Sequence, residues 1–190
     1  MKKFLTIICA VSLFLIGCMS TEKVPEQSKV LNLGMTFEQF KAAYNATIAE
    51  NFPQMGWDLS ETKLRSWEDK DTFMYKFNDN VALMGAAEKN SGMMKEVMVL
   101  TVSQKHEDIE IALAAFVPLM LTLSPELTVE QRGKLLEDLN LVGDKVDELI
   151  NQNDGVAVRG NVRYRTTFDR DKFVLYFIAS AKDLEYWDKI

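Results

Sequence analysis

An α+β fold, with helices packed on one face of an antiparallel sheet, follows from three observations on this 190-residue chain. Helical periodicity and strand-like alternation fall in separate blocks rather than in strict βαβ alternation, which argues against a parallel doubly wound sheet. The same block order, helical part and then strands, occurs twice, over residues 31–105 and 106–190. Between these two runs of strands lies a stretch, 109–123, that is apolar nearly all round. A helix of that kind needs cover on more than one side. The expected body is therefore a single domain, 31–190, built as a tandem of two helix-then-sheet units.

What precedes the body has a different character. Lys2 and Lys3 are followed by an apolar run from Phe4 to Ile16 and then by Gly17-Cys18. Thirteen apolar positions are too few to span a hydrocarbon core of roughly 30 Å as a helix, and the basic flank reads as a secretory signal. Leu15-Ile16-Gly17-Cys18 resembles the bacterial lipobox. In that motif a small residue fits the signal peptidase, and the cysteine thiol receives a diacylglyceryl group. The expectation is a signal peptide over 1–17, with Cys18 as the lipidated first residue of the mature chain and the acyl chains as its membrane contact. A lipid anchor of two or three acyl chains holds stably where one is marginal. Residues 18–30 are polar, contain Pro25 and lack periodicity, and so are expected to form a tether.

The elements of the body follow in order. Thr36 and Gln39 have capping-box spacing, and Phe37, Phe40, Ala43, Tyr44, Thr47 and Ile48 continue at helical intervals until Asn51-Phe52-Pro53 stops the helix. Lys63 to Trp67 predicts a first strand. Phe73, Tyr75 and Phe77 alternate with polar or flexible residues, as in a half-buried strand. Asn78-Asp79-Asn80 turns the chain into a strand over 81–88, and Lys89-Asn90-Ser91-Gly92 turns it again into an apolar, central strand over 95–102. The result is a meander. Residues 109–123 form the buried helix, broken by Ser124-Pro125. Thr128 with Gln131 caps the next helix, which Gly143 ends, and 144–151 adds a helical turn. One long strand is expected over 156–168, with Val158, Val162, Tyr164, Thr166 and Phe168 on one face. Asp169-Arg170-Asp171 then turns into a last strand over 173–178, and the tail with Tyr186 and Trp187 packs back on the body.

Leu33-Gly34-Met35-Thr36 with Phe40 and Tyr44-Asn45, together with Leu123 to Thr128, Gln131 and Leu139-Asn140-Leu141, resembles uncharacterised lipoproteins and secreted proteins of Firmicutes-type bacteria. The Gly-Met-Thr start is similar to that of the BamE (SmpA/OmlA) outer-membrane assembly lipoproteins and to the repeats of beta-lactamase inhibitor protein. This second resemblance implies a helix pair on a small antiparallel sheet, used twice, as in a BLIP-like tandem. The present chain is longer than a BamE unit. Neither resemblance implies a catalytic residue.

The chemistry-bearing residues are few. Cys9 and Cys18 are the only cysteines and His106 the only histidine, so the mature chain lacks the ligand set of a zinc site, and no metal or cofactor is expected. Gly-x-Ser-x-Gly is absent, and Gly155 to Gly160 lacks the Lys-Ser/Thr of a phosphate loop. Carboxylates cluster at Glu68, Asp69 and Asp71 and again at Asp169 and Asp171; as turn residues they read as solvated charge. Without Lys2 and Lys3 the chain has 20 basic and 28 acidic residues, a net charge of about −8, which excludes a general nucleic-acid binder. Against that background Arg159, Arg163 and Arg165 stand out as a stripe on one strand face. They form a candidate patch for an anionic partner, since guanidinium forks suit carboxylates. Trp57, Trp67 and the Tyr186-Trp187 pair are candidates to line an apolar groove.

The functional expectation is a non-enzymatic monomer, exported and lipid-anchored to the cell membrane or the outer membrane, that binds another envelope protein. The alternative is a small-ligand carrier or a hydrolase built on carboxylates. A solid core with a broad apolar surface favours the former, and a deep pocket with converging polar groups the latter.

Overall fold

The computed structural model describes residues 29–103, 105–142 and 154–184. The signal and lipobox residues, Gly143 to Asn151 and the Tyr186-Trp187 tail lie outside the described residues. The body has three α-helices, α1 (Phe37–Asn51), α2 (His106–Leu123) and α3 (Val129–Asp138). It also has seven strands: β1 (Arg65–Ser66), β2 (Lys70–Lys76), β3 (Val81–Glu88), β4 (Met94–Thr101), β5 (Gly155–Arg159), β6 (Val162–Asp169) and β7 (Val174–Ala181). All strand pairings are antiparallel, and the seven form one sheet in the order β1-β2-β3-β4-β7-β6-β5. The fold is α+β, with β4 at the centre of the sheet.

The expected capping boxes form. Thr36 accepts from the Gln39 backbone N–H while the Gln39 side chain accepts from the Thr36 N–H, and Thr128 and Gln131 repeat the arrangement at α3. Each box satisfies two N–H groups that the start of a helix otherwise leaves without partners.

The strand register shows which face the helices cover. Phe73, Gly85, Val97, Ala179, Tyr164 and Ala157 are successive cross-strand neighbours on one line across six strands. That line faces the helices. Phe73 packs tilted at 4.9 Å from Phe37 and 5.9 Å from Phe40 of α1. Phe116 of α2 lies 5.2 Å from Phe177 and 6.3 Å from Tyr164. Gly155 and Thr166 meet the end of α3 at Leu139, whose carbonyl accepts from the Thr166 hydroxyl at 2.6 Å. Helix α2 sits between α1 and strands β3 and β4, with Ala112, Ala115, Phe116 and Leu119 fully buried. The all-round apolar character of 109–123 is explained by that position. Buried hydroxyls find partners: Tyr44 donates to the Ala115 carbonyl at 3.2 Å, and Tyr164 shares a 2.8 Å bond with Ser124. Burial pushes both phenols well above the usual tyrosine range.

The expected single strand over 156–168 is two strands. Gly160 has φ +55° and, with Asn161, turns β5 into β6 as a tight hairpin. Gly-Asn between apolar runs carries that signal, but Val156, Val158, Val162 and Tyr164 keep an unbroken period of two across it, so the alternation alone runs straight through. The turn puts Val158 on the face opposite Val162 and Tyr164.

A polar junction ties the meander to α2. Asn78 and Asn80 donate from their side-chain amides to Asp108 Oδ1 and Oδ2 at 2.8 and 2.9 Å, and Asn78 Oδ1 accepts from the Asn80 and Val81 N–H groups. The Ser103 hydroxyl, and after it the two amides, hold the Asp108 carboxyl below its ordinary value of 3.8. A depressed folded-state pKa means that the unfolded chain binds the proton first as pH falls. The stabilisation is thus complete above 3.8 and is lost as pH drops through the lower folded value. Denaturant midpoints measured from pH 7 to pH 2.5 are expected to fall less on acidification for Asp108→Asn than for the parent chain. Identical pH profiles would remove Asp108 as a contributor to acid sensitivity.

Candidate binding face and edge cavity

The sheet's second face is covered by none of the three helices. The period of two that sends Phe73, Val97 and Tyr164 inward sends their neighbours outward. Met74, Met84, Met98, Ile178, Arg165 and Val156 are successive cross-strand neighbours on that outer side. Three methionines on adjacent strands form a contiguous polarizable strip, with Met74 and Val156 each about half exposed at 49% and 51%. Methionine side chains repack readily and are over-used on binding surfaces. One row over run Thr72, Ala86, Glu96, Ser180, Arg163 and Val158.

Trp67, just before the β1–β2 turn, is 63% exposed yet held in place. Its indole N–H donates to Thr72 Oγ1 at 3.0 Å, and Lys89 donates to the Trp67 and Glu68 carbonyls at 3.0 and 3.2 Å. Beside it the sheet has a β-bulge. Ala86 pairs with Glu96 and Ala87 with Met94, which leaves Lys95 as the extra residue. Met94 and Val97 both point to the core, so Lys95 and Glu96 emerge together on the outer face. Trp67, Met84, Ala86, Met98, Lys95 and Leu184 line a cavity of about 470 Å³ there.

The three arginines do not form one stripe. Arg159 is in β5 on the helix side of the sheet, where it donates to Asp138 of α3 at 2.6 Å. That guanidinium, and then Lys134, hold the Asp138 carboxyl below the usual carboxylate range. Arg163 and Arg165 are in β6 on the outer face, so the hairpin at Gly160 separates them from Arg159. Arg165 is engaged by Asp154, with its Nε donating at 2.9 Å. Arg163 alone makes no ion pair among the described residues.

Other candidates fall apart in space. His106 is the first residue of α2, with its side chain 89% exposed and 3.1 Å from Glu110. Asp71 lies in the row of Ala87 and Met94, whereas Asp169 pairs with Val174 at the other end of the strands. The two carboxylate clusters therefore cannot face one substrate. Trp57 packs on Phe77 at 4.4 Å, on the helix side and away from Trp67. The methionine strip and the bulge were the features that sequence reasoning missed. The strip needs the register of three strands, and the bulge leaves no mark in a pattern of apolar residues.

No family model, curated protein or solved structure matches this chain. Among the described residues no helix is long and apolar enough to cross a membrane, and no group of three or more His, Cys, Asp or Glu is placed to hold a metal ion.

Proposed function

We propose that this chain is an exported, non-enzymatic protein, anchored by lipid on Cys18 and acting as a monomeric binding module for another protein of the cell envelope through the outer face of its sheet. The observation that carries the reading is the Met74–Met84–Met98–Ile178 row on a face that none of the three helices covers. A sheet face that no helix covers normally alternates to polar residues; here an apolar row runs from half-exposed Met74 to buried Ile178, and such a strip is the usual mark of an interaction surface. Arg163 beside the strip supplies a charge for an acidic residue of the partner, in place of the wider arginine patch. The strand order supports a tandem of two units, the BLIP-like and BamE-like arrangement. β2, β3 and β4 follow α1, β5, β6 and β7 follow α2 and α3, and the last strand of each set pairs at the centre.

The test is a photo-crosslinking residue placed at Met74 or Val156 in the lipidated protein in intact envelopes, with Val129 on α3 as the control position, 82% exposed. One discrete adduct from Met74 and Val156, absent from Val129, is expected, and Met74→Glu should abolish the adduct formed from Val156. The same adducts from all three positions would overturn the reading. Metabolic labelling with an alkyne fatty acid, lost in Cys18→Ala, checks the anchor.

A further inference from the structure

We propose that the cavity at the Trp67 edge of the outer face binds a small amphipathic acid, with its apolar body between Trp67, Met84 and Met98 and its anionic group on Lys95. The cavity shares Met84 and Met98 with the row proposed to bind protein, whereas Met74 and Val156 do not line it, so the two readings are tested at different positions.

Size comes first. A volume of about 470 Å³ is within the range of small-molecule sites, roughly 300–1,000 Å³. The walls are of two kinds. Met84, Ala86, Met98 and Leu184 give an apolar floor. Trp67 gives a large aromatic wall, held by the Thr72 and Lys89 bonds before any ligand arrives. An exposed indole fixed in this way loses little conformational freedom on contact, which is what pre-organisation means for affinity.

Charge selects the ligand. Among the described residues, four charged side chains line the cavity: Asp69, Lys70, Lys95 and Glu96. Asp69 and Lys70 are adjacent, exposed and of opposite sign, so their fields largely cancel in water. Glu96 is 8% exposed and already engaged. Lys95 is half-buried and makes no ion pair or side-chain hydrogen bond among the described residues. The group left to meet a ligand is therefore a cation, and it stands on the face only because the bulge adds one residue to β4. Bulges recur next to binding sites for this reason, since they re-aim a side chain.

The polypeptide enters the described body at the same edge. Val30 N–H donates to Asp183 at 2.7 Å and the Asp183 N–H to the Val30 carbonyl at 3.2 Å, one residue before Leu184 of the cavity wall. These two bonds fix the backbone next to Leu184.

The probes are octanoate, 1-octanol and octylammonium, titrated into the full chain carrying Cys18→Ser. The Trp67 indole N–H is read by NMR, with the Trp57 indole as internal reference. Octanoate is expected to bind at least tenfold more tightly than 1-octanol, and octylammonium more weakly than either. Lys95→Met should bring octanoate within twofold of 1-octanol while leaving 1-octanol unchanged. Trp67→Ala, at an exposed position that does not carry the fold, should weaken both at least fivefold. Equal affinities for the three probes, octanoate binding indifferent to Lys95→Met, or no octanoate binding up to its solubility would each overturn the proposal, whatever the crosslinking experiment shows.

Discussion

Gly155→Ala should destabilise the protein by about 3 kcal/mol, the upper end of the usual cost of overpacking, and so lower the melting temperature by roughly 6–12 °C for a domain of this size. Gly155 opens β5, and a Cβ built there overlaps the backbone Cα, C and O of Leu139 at the end of α3. Backbone cannot rotate away as a side chain can, so the whole end of α3 must shift. That end is also pinned by the 2.6 Å bond from Thr166, the cross-strand partner of Gly155, to the Leu139 carbonyl. Gly133 provides the contrast. It lies inside α3, exposed, with nothing within 4 Å of a Cβ. Gly133→Ala should stabilise by about 0.5–1 kcal/mol, because alanine has less backbone freedom to lose and the better helix propensity. Urea denaturation of the two variants should move the midpoint in opposite directions, and a shift of the same sign in both would refute this account of α3 docking.

Phe73→Ala is the second large effect, at about 3–5 kcal/mol for a buried aromatic truncated in a core. Phe73 is 1% exposed, contacts Phe37 and Phe40 of α1, and lies directly over Gly85 of the neighbouring strand. Gly85 is the matching half of that contact. A Cβ there would strike Phe73 Cε1 and come within 2.9 Å of the Glu96 carbonyl and 3.0 Å of Met94 Cε. A glycine mid-strand is ordinarily a weak choice, lacking a side chain to pack; here the ring of Phe73 occupies the vacated space. The two sites should therefore be coupled. Gly85→Ala alone is destabilising, and in a Phe73→Leu background its cost should drop by about 1 kcal/mol, within the range of interaction energies between touching residues. A double-mutant cycle by thermal unfolding gives this directly, and strictly additive costs would mean that the ring does not set the glycine.

Much of the fold was legible because its signals are local. The Thr36–Gln39 and Thr128–Gln131 boxes lie within single turns of helix, and Asn78-Asp79-Asn80 and Lys89 to Gly92 carry turn chemistry in consecutive residues. The second half was harder at one place. A two-residue Gly-Asn hairpin inside a continuous alternation looks like a strand interior, so alternation alone makes β5 and β6 one strand and sets Arg159 beside Arg163. The hairpin pairs Arg159 with Val162 rather than leaving it in line with Arg163, and that alone separates the arginine bound to Asp138 from the one left at the outer surface.

The sequence by itself determined which segments are helix and which are strand, that the body is α+β, and that 109–123 would be enclosed. It could do so because periodicity, caps and turn residues act over a few positions of chain. Only the tertiary structure decided that β4 and β7 pair at the centre, that Met74, Met84 and Met98 fall in one row on the face away from the helices, and that an extra residue in β4 sets Lys95 beside Trp67. Those facts depend on the register between strands remote in sequence. A period of two says which residues share a face of one strand, but it does not say which strand lies beside it or by how many residues they are offset.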